Sequence, residues 1–207
     1  LPLVYLWITD GKAEIKDAGG IAELGSKETE DAIRSEMGSS KIRVAQTGLA
    51  GMNQVLYANI TNNLGHFCGR NGLGAVMGAK NVRAVAALGT QKIQLADPKF
   101  IKDTASQYAK SFRDNPLGNN LFIYGTTAFA KSMSDDGCLP VNNFRRGRLD
   151  DASPISGDTY NELLLKKRKG CYACPIRCKR MIALEDPKYG VDSRYGGPEY
   201  ETIAALG

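Results

Sequence analysis

The chain has 207 residues, 43% hydrophobic and 24% charged, a globular balance with enough length for one large domain or two small ones. Those proportions exclude a disordered tail, a collagen-like repeat and a short disulfide-stapled scaffold. Lys and Arg number 27 against 22 Asp and Glu, and the net charge of +5 is concentrated: Arg145 to Arg180 holds ten Lys/Arg and four Asp/Glu.

The chain opens on the apolar run Leu1-Pro2-Leu3-Val4-Tyr5-Leu6-Trp7 and stops on Ile203-Ala204-Ala205-Leu206-Gly207. Natural termini are usually polar, so an internal stretch of a longer protein is expected. Leu3 to Thr9 reads as a strand, Asp10-Gly11 as a hairpin turn, and Lys12 to Lys16 as the partner strand. Ser26 to Met37 reads as a helix, with Ser26 as its cap and Gly38 ending it. Lys41 to Gln46 is another strand, Gly48 to Gly51 a turn, and Gln54 to Ile60 a further strand. A glycine-rich loop follows, then the β-branched strand Asn81 to Leu88.

Composition changes after this point. Asp97 caps a long helical pattern with Pro98 at its tolerated first position, and Asn115-Pro116 breaks it. Thr126 to Met133 and Asp158 to Lys167 read as two more helices, with loop at Asp136 to Pro140. The expected fold is therefore α+β: residues 1–92 form the β-rich part, and residues 93–207 begin a mainly α-helical one. No repeat or low-complexity segment interrupts it.

A basic stretch can contact nucleic acid, an acidic partner or cofactor phosphates. No helix-turn-helix or aromatic–glycine RNA-binding pattern accompanies this one, so nucleic acid is not the expected partner. Lys166-Lys167-Arg168-Lys169 alone reads as a solvated face. No apolar run reaches the roughly 18 residues that span a bilayer, and no signal peptide is present. An odd count of five Cys argues against a secreted disulfide framework. Reduced thiols and a cytoplasmic location are expected.

Three of those cysteines fall in Cys171-Tyr172-Ala173-Cys174-Pro175-Ile176-Arg177-Cys178. Close spacing lets thiolates converge from one loop, and Pro175 removes a backbone donor and bends the chain between them. Thiolates suit zinc or an iron–sulfur cluster, and spacing does not separate the two. A fourth ligand would come from Cys68, Cys138 or His66, or from beyond Gly207. A zinc-stabilised interaction protein and a non-catalytic iron–sulfur electron-transfer module are the rival readings.

The glycine-rich stretch Gly65-His66-Phe67-Cys68-Gly69-Arg70-Asn71-Gly72-Leu73-Gly74-Ala75-Val76-Met77-Gly78 holds five of the 23 glycines in fourteen residues. Glycines expose backbone N–H groups, and Arg70 and Lys80 suit phosphate. The order Gly69, Gly72, Gly74 is not the dinucleotide fingerprint, and Lys80-Asn81 lacks the Ser/Thr of a phosphate-binding P-loop. A tight structural turn is the competing reading, and a lone His66 is more often structural than catalytic.

Gly69 to Asn81 closely resembles the signature loop of the aldehyde:ferredoxin oxidoreductase family of tungsten-pterin enzymes. Cys171 to Cys178, with Pro175, resembles that family's three-cysteine motif. Leu139-Pro140-Val141-Asn142-Asn143-Phe144, Gly197-Pro198-Glu199-Tyr200-Glu201 and the opening Val4-Tyr5-Leu6-Trp7 are similar to further family segments in the same order. The resemblance spans essentially the whole chain and implies a protein about three times longer.

It implies a β-rich base and helical domains enclosing a tungsten (or molybdenum) bis-pterin centre. Cys171, Cys174 and Cys178 would then ligate a [4Fe–4S] cluster, with the fourth cysteine downstream. His66, Gly69, Arg70, Asn71, Gly72 and Gly74 would approach the pterin phosphates and a bridging magnesium ion. Asn71 stands where the family commonly has glycine, and the loop before Arg70 is a residue shorter. Glu201 matches the family's acid/base glutamate, with Glu199 the nearby alternative. The implied reaction oxidises an aldehyde to a carboxylate and passes electrons to ferredoxin or an iron–sulfur partner subunit. A homo-oligomer is expected, and reduction of aromatic thioesters is the alternative chemistry within the family.

Overall fold

Asp10 and Gly11 both take left-handed backbone angles, with φ of 44° and 84°. That is the twist a two-residue hairpin needs, and it joins β1 (Val4–Thr9) to β2 (Lys12–Asp17). The Asp10 carboxylate accepts the Thr90 amide at 2.7 Å and the Thr90 hydroxyl at 3.0 Å, tying this turn to the chain after β6 (Val82–Leu88). The computed structural model describes residues 1–206.

β1 runs parallel to β6, which pairs antiparallel with β3 (Arg43–Thr47). β4 (Ile60–Asn62) and β5 (His66–Cys68) complete a six-stranded sheet of order β2-β1-β6-β3-β4-β5. Period-two alternation turns Tyr5, Trp7, Val44, Ala84 and Ala86 to one face, where they bury against Ile33 of α1 (Ser26–Glu36). The register slips so that Val4 faces Val82 while Tyr5 faces Ala84, leaving Arg83 as a bulge residue. Arg83 is fully buried, and its guanidinium donates to the carbonyls of Ile21 and Leu24 and to the Thr29 hydroxyl.

Several sequence expectations need correction in this part. Gly25, not Ser26, is the N-cap of α1, because Ser26 is already helical and its carbonyl accepts the Gln46 side chain at 2.7 Å. The expected turn at Gly48 to Gly51 is a short helix, α2 (Leu49–Met52). The expected strand from Gln54 begins only at Ile60, since Gln54 itself is left-handed at φ 55°. The glycine-rich loop contains β5 and a second short helix, α3 (Leu73–Ala79).

The chain divides into two compact units, Leu1–Gln94 and Leu95–Gly207. In the second, the Asp97 side chain accepts the Phe100 amide and caps α4 (Pro98–Ser111). Asn115 both ends that pattern and caps α5 (Pro116–Tyr124). The expected helix from Thr126 is a 3-10 segment, Gly125–Phe129, followed by α6 (Ala130–Asp135).

The helix expected to run to Lys167 stops early. It is α7 (Gly157–Leu163), after which Leu165–Lys169 forms β7, antiparallel to β8 (Lys179–Ile182). Of that cationic run only Lys166 and Lys169 would share a helix face, so charge does not forbid a helix there; pairing with β8 makes the segment a strand. α8 (Tyr200–Leu206) closes a small core of Leu139, Val141 and Ala204. The fold is α+β, and no helix among the described residues is long and apolar enough to cross a membrane.

Candidate functional site

The cysteine motif is the loop that joins β7 to β8, with Lys169 opposite Lys179 and Arg168 opposite Arg180 at its root. Ala173 and Arg177 are left-handed, at φ 55° and 49°, and each directly precedes a cysteine. These two reversals fold eight residues into a tight turn, which the Cys174 amide closes on the Cys171 carbonyl at 3.2 Å. Gly170 packs against the far side of the loop, where an added Cβ would lie 3.1 Å from the Arg177 Cα. The result is a cleft of about 550 Å³ lined by Cys171, Cys174, Lys167, Arg168, Lys169 and Arg177.

All three thiols are free, with Cys171 exposed and Cys174 and Cys178 half-buried. Burial, and then the Glu199 carboxylate, push the Cys178 thiol up. Among the described residues no three His, Cys, Asp or Glu side chains are already gathered as a metal-binding group. The donor chemistry nevertheless fits a thiolate-ligated group: three thiols on one loop, two of them, Cys171 and Cys174, lining a cleft whose charged lining is entirely cationic. Cys138 is exposed on its own loop, and Cys68 and His66 belong to the other unit.

Glu199 is built into the exit of this loop. Its carboxylate accepts the Thr126 hydroxyl at 2.5 Å and the Lys179 ammonium at 3.0 Å. The Thr126 oxygen in turn accepts the Tyr200 amide at 3.1 Å. The Gly197 amide donates to the Arg180 carbonyl at 2.7 Å, so the segment before α8 is pinned along β8. Glu201 sits exposed in the first turn of α8 and makes no hydrogen bond or ion pair with the described residues. The amides of Asn142 and Asn143 donate to the carbonyls of Ala204 and Ala205, which joins the Leu139 to Phe144 motif to that helix.

The glycine-rich stretch lies in the first unit and divides into two roles. Gly72 is left-handed at φ 63° and packs on the Leu56 carbonyl, where a Cβ would collide. Gly74 packs equally closely on Asn59, and Gly78 on Gly51, bringing α3 backbone-to-backbone against α2 and the segment beyond it. Gly69, Arg70 and Asn71 are exposed, and nothing lies within 4 Å of where a Gly69 Cβ would be. His66 is half-buried in β5, opposite Asn62.

Comparison with known proteins decides the family. Residues 2–89 match the model for the aldehyde ferredoxin oxidoreductase N-terminal domain, and residues 103–207 match that for domains 2 and 3. The chain belongs to the aldehyde ferredoxin oxidoreductase family. It is 38% identical over 205 residues to the tungsten-containing aldehyde ferredoxin oxidoreductases of Pyrococcus furiosus and Thermococcus kodakarensis. Those matches cover 99% of this chain and 33% of each relative, so the chain spans about a third of their length. A WOR-like subunit of an aliphatic sulfonate oxidoreductase from P. furiosus is 29% identical over 218 residues, covering 99% of this chain and 34% of that subunit. Among solved structures, the active-site complex BamBC of benzoyl coenzyme A reductase superposes with a TM-score of 0.71 at 29% identity. It covers 89% of this chain and 30% of the other.

Sequence reasoning singled out the cysteines and both glutamates. It did not find Thr126, which carries no local signal because its partners lie 73 and 74 residues away. The run Lys166 to Lys169 suggests a solvated face, but the Arg168 guanidinium lies over the Phe122 ring, 4.7 Å from the centroid.

Proposed function

We propose that this chain is part of a longer oxidoreductase that converts an aldehyde to a carboxylate and delivers the electrons to ferredoxin or an iron–sulfur partner subunit. The carrying observation is the family match along nearly the whole chain, with Cys171 and Cys174 of the three-thiol loop lining a cationic cleft. When bound, a tungsten (or molybdenum) bis-pterin would take up the electron pair and a [4Fe–4S] cluster would release it one electron at a time.

Cys171, Cys174 and Cys178 hold that cluster as thiolates, and the surrounding Lys and Arg side chains offset its negative charge. Gly72 and Gly74 set the backbone path that presents Gly69, Arg70 and Asn71, and Arg70 would hold a pterin phosphate, whose charge magnesium would share. His66 stands at the base of that loop. Glu201, uncommitted in the first turn of α8, moves the proton of the reaction. Glu199, bound to Lys179 and Thr126, holds the loop exit in place. A homo-oligomer located in the cytoplasm completes the proposal.

Aldehyde-dependent reduction of a viologen dye by the whole tungsten-loaded protein tests this reading. Turnover with aldehydes supports it, and a loaded protein inert to aldehydes of every size contradicts it. The likeness to a benzoyl coenzyme A reductase complex favours one second reading, reduction of an aromatic thioester. Activity confined to aromatic coenzyme A thioesters would select that one.

A further inference from the structure

Arg180 is only 5% exposed, yet a single nitrogen of its guanidinium is engaged. Nη2 donates to the carbonyls of Leu121 and Phe122 at 2.9 and 3.0 Å. Nε and Nη1 are buried without a partner. Its cross-strand neighbour Arg168 is half-buried, and the Arg168 Nε is likewise unpartnered. The Arg168 guanidinium covers the Phe122 ring, with Arg113 also 4.3 Å from that centroid.

Two cations face each other across the β7–β8 pair, one buried and one half-buried, and they repel. The Glu199 carboxylate is already held by Lys179 and Thr126. Buried N–H donors without acceptors are costly, and on a cation they call for an anion. The position identifies that anion. Arg180 follows Cys178 by two residues at the root of the cysteine loop, opposite Arg168. A Cβ placed on Gly125 would lie 2.7 Å from the Cys178 carbonyl and 2.8 Å from the Arg180 Nε, so both groups border Gly125.

We propose that Arg180, with Arg168 beside it, is a positioning residue that turns its unpartnered N–H groups toward the anionic iron–sulfur group of Cys171, Cys174 and Cys178 and raises its reduction potential. The inference rests on the reading of those cysteines as cluster ligands. A thiolate-ligated cluster is anionic and becomes more so on reduction, so a buried cation favours the reduced form. The same guanidinium ties the Leu121 and Phe122 carbonyls of α5 to β8.

An EPR-monitored redox titration of the whole enzyme tests this, with iron, sulfide and pterin assayed alongside in wild type, Arg180→Gln and Arg168→Gln. Both variants are expected to keep their cluster, with its midpoint moved to lower potential, further in Arg180→Gln. A loaded Arg180→Gln cluster with an unchanged midpoint overturns the proposal. Loss of pterin with an unchanged midpoint overturns it too, by putting a phosphate on the arginine. If Arg180→Gln does not fold, Arg168→Gln decides by the same criterion, because Arg168 meets α5 through the Phe122 ring, whereas Arg180 hydrogen-bonds two α5 carbonyls. Wild-type protein lacking iron and sulfide would overturn the cluster reading itself before any variant is compared.

Discussion

The Thr126 hydroxyl donates to the Glu199 carboxylate at 2.5 Å while accepting the amide of the next residue, Tyr200, at 3.1 Å. One side chain therefore anchors the start of α8 to the segment after α5, and through Lys179 to the residue following Cys178. Thr126→Val removes the donor to Glu199, which keeps Lys179, and leaves the Tyr200 amide without its acceptor. A hydrogen bond to a charged group is worth about 1.5–3 kcal/mol, and a loss of that order is expected in urea unfolding of the whole protein.

The two glutamates should separate under substitution. Glu201→Gln is expected to leave metal content and stability near wild type and to lower turnover by about a hundredfold, as loss of a general acid/base does. Glu199→Gln is expected to act first on stability and cluster retention, because it breaks the ion pair with Lys179. Metal analysis beside steady-state kinetics checks both. Undiminished turnover in loaded Glu201→Gln would remove the acid/base role.

Gly125 holds a left-handed φ of 67° directly against the Cys178 carbonyl. Gly125→Ala adds both backbone strain and a collision, and a loss of about 1–3 kcal/mol is expected. The thermal midpoint should fall, and iron retention should fall with it. In the first unit, Gly78→Ala meets the Gly51 carbonyl and should cost a similar amount. Arg70→Ala, on an exposed residue, should stay within about 0.5 kcal/mol of wild type while weakening pterin binding.

Stability should fall at both ends of the pH range. Burial, then Glu199, hold the Tyr160 phenol up to about 12, and its hydroxyl donates to the Pro198 carbonyl. The unfolded chain loses that proton near ~10, so this contribution is complete below that pH and disappears as pH rises through about 12. Burial and Glu36 raise Tyr5 in the same sense, so the informative quantity is the difference between wild type and Tyr160→Phe. Asp10 runs the other way. The Thr90 amide and hydroxyl hold its carboxyl below the usual range, so its contribution is present above ~3.9 and is lost as pH falls through the lowered value. Asp10→Asn should flatten the acid limb of the unfolding profile.

Local chemistry made part of this fold readable. Asp10-Gly11 announces a hairpin because few dipeptides accept two left-handed angles, and Asp97-Pro98 announces a capped helix because its side chain supplies a missing acceptor. What stayed hidden depends on partners far along the chain. Gly72, Gly74 and Gly78 look like loop punctuation, yet they serve α3, whose backbone must approach Leu56, Asn59 and Gly51. β7 carries a sequence suited to helix and becomes a strand only because β8 lies beside it after the cysteine loop. The three cysteines are legible from spacing. Thr126 and the burial of Arg180 are not, since each is set by segments roughly sixty to seventy residues away.

Iron and acid-labile sulfide in the whole protein, purified without oxygen, test the account most directly. About four of each per chain are expected, with the brown colour of a thiolate-ligated cluster, and both should be lost when Cys174 is replaced by Ala. Zinc alone, in a colourless protein unchanged in metal content by Cys174→Ala, would contradict it.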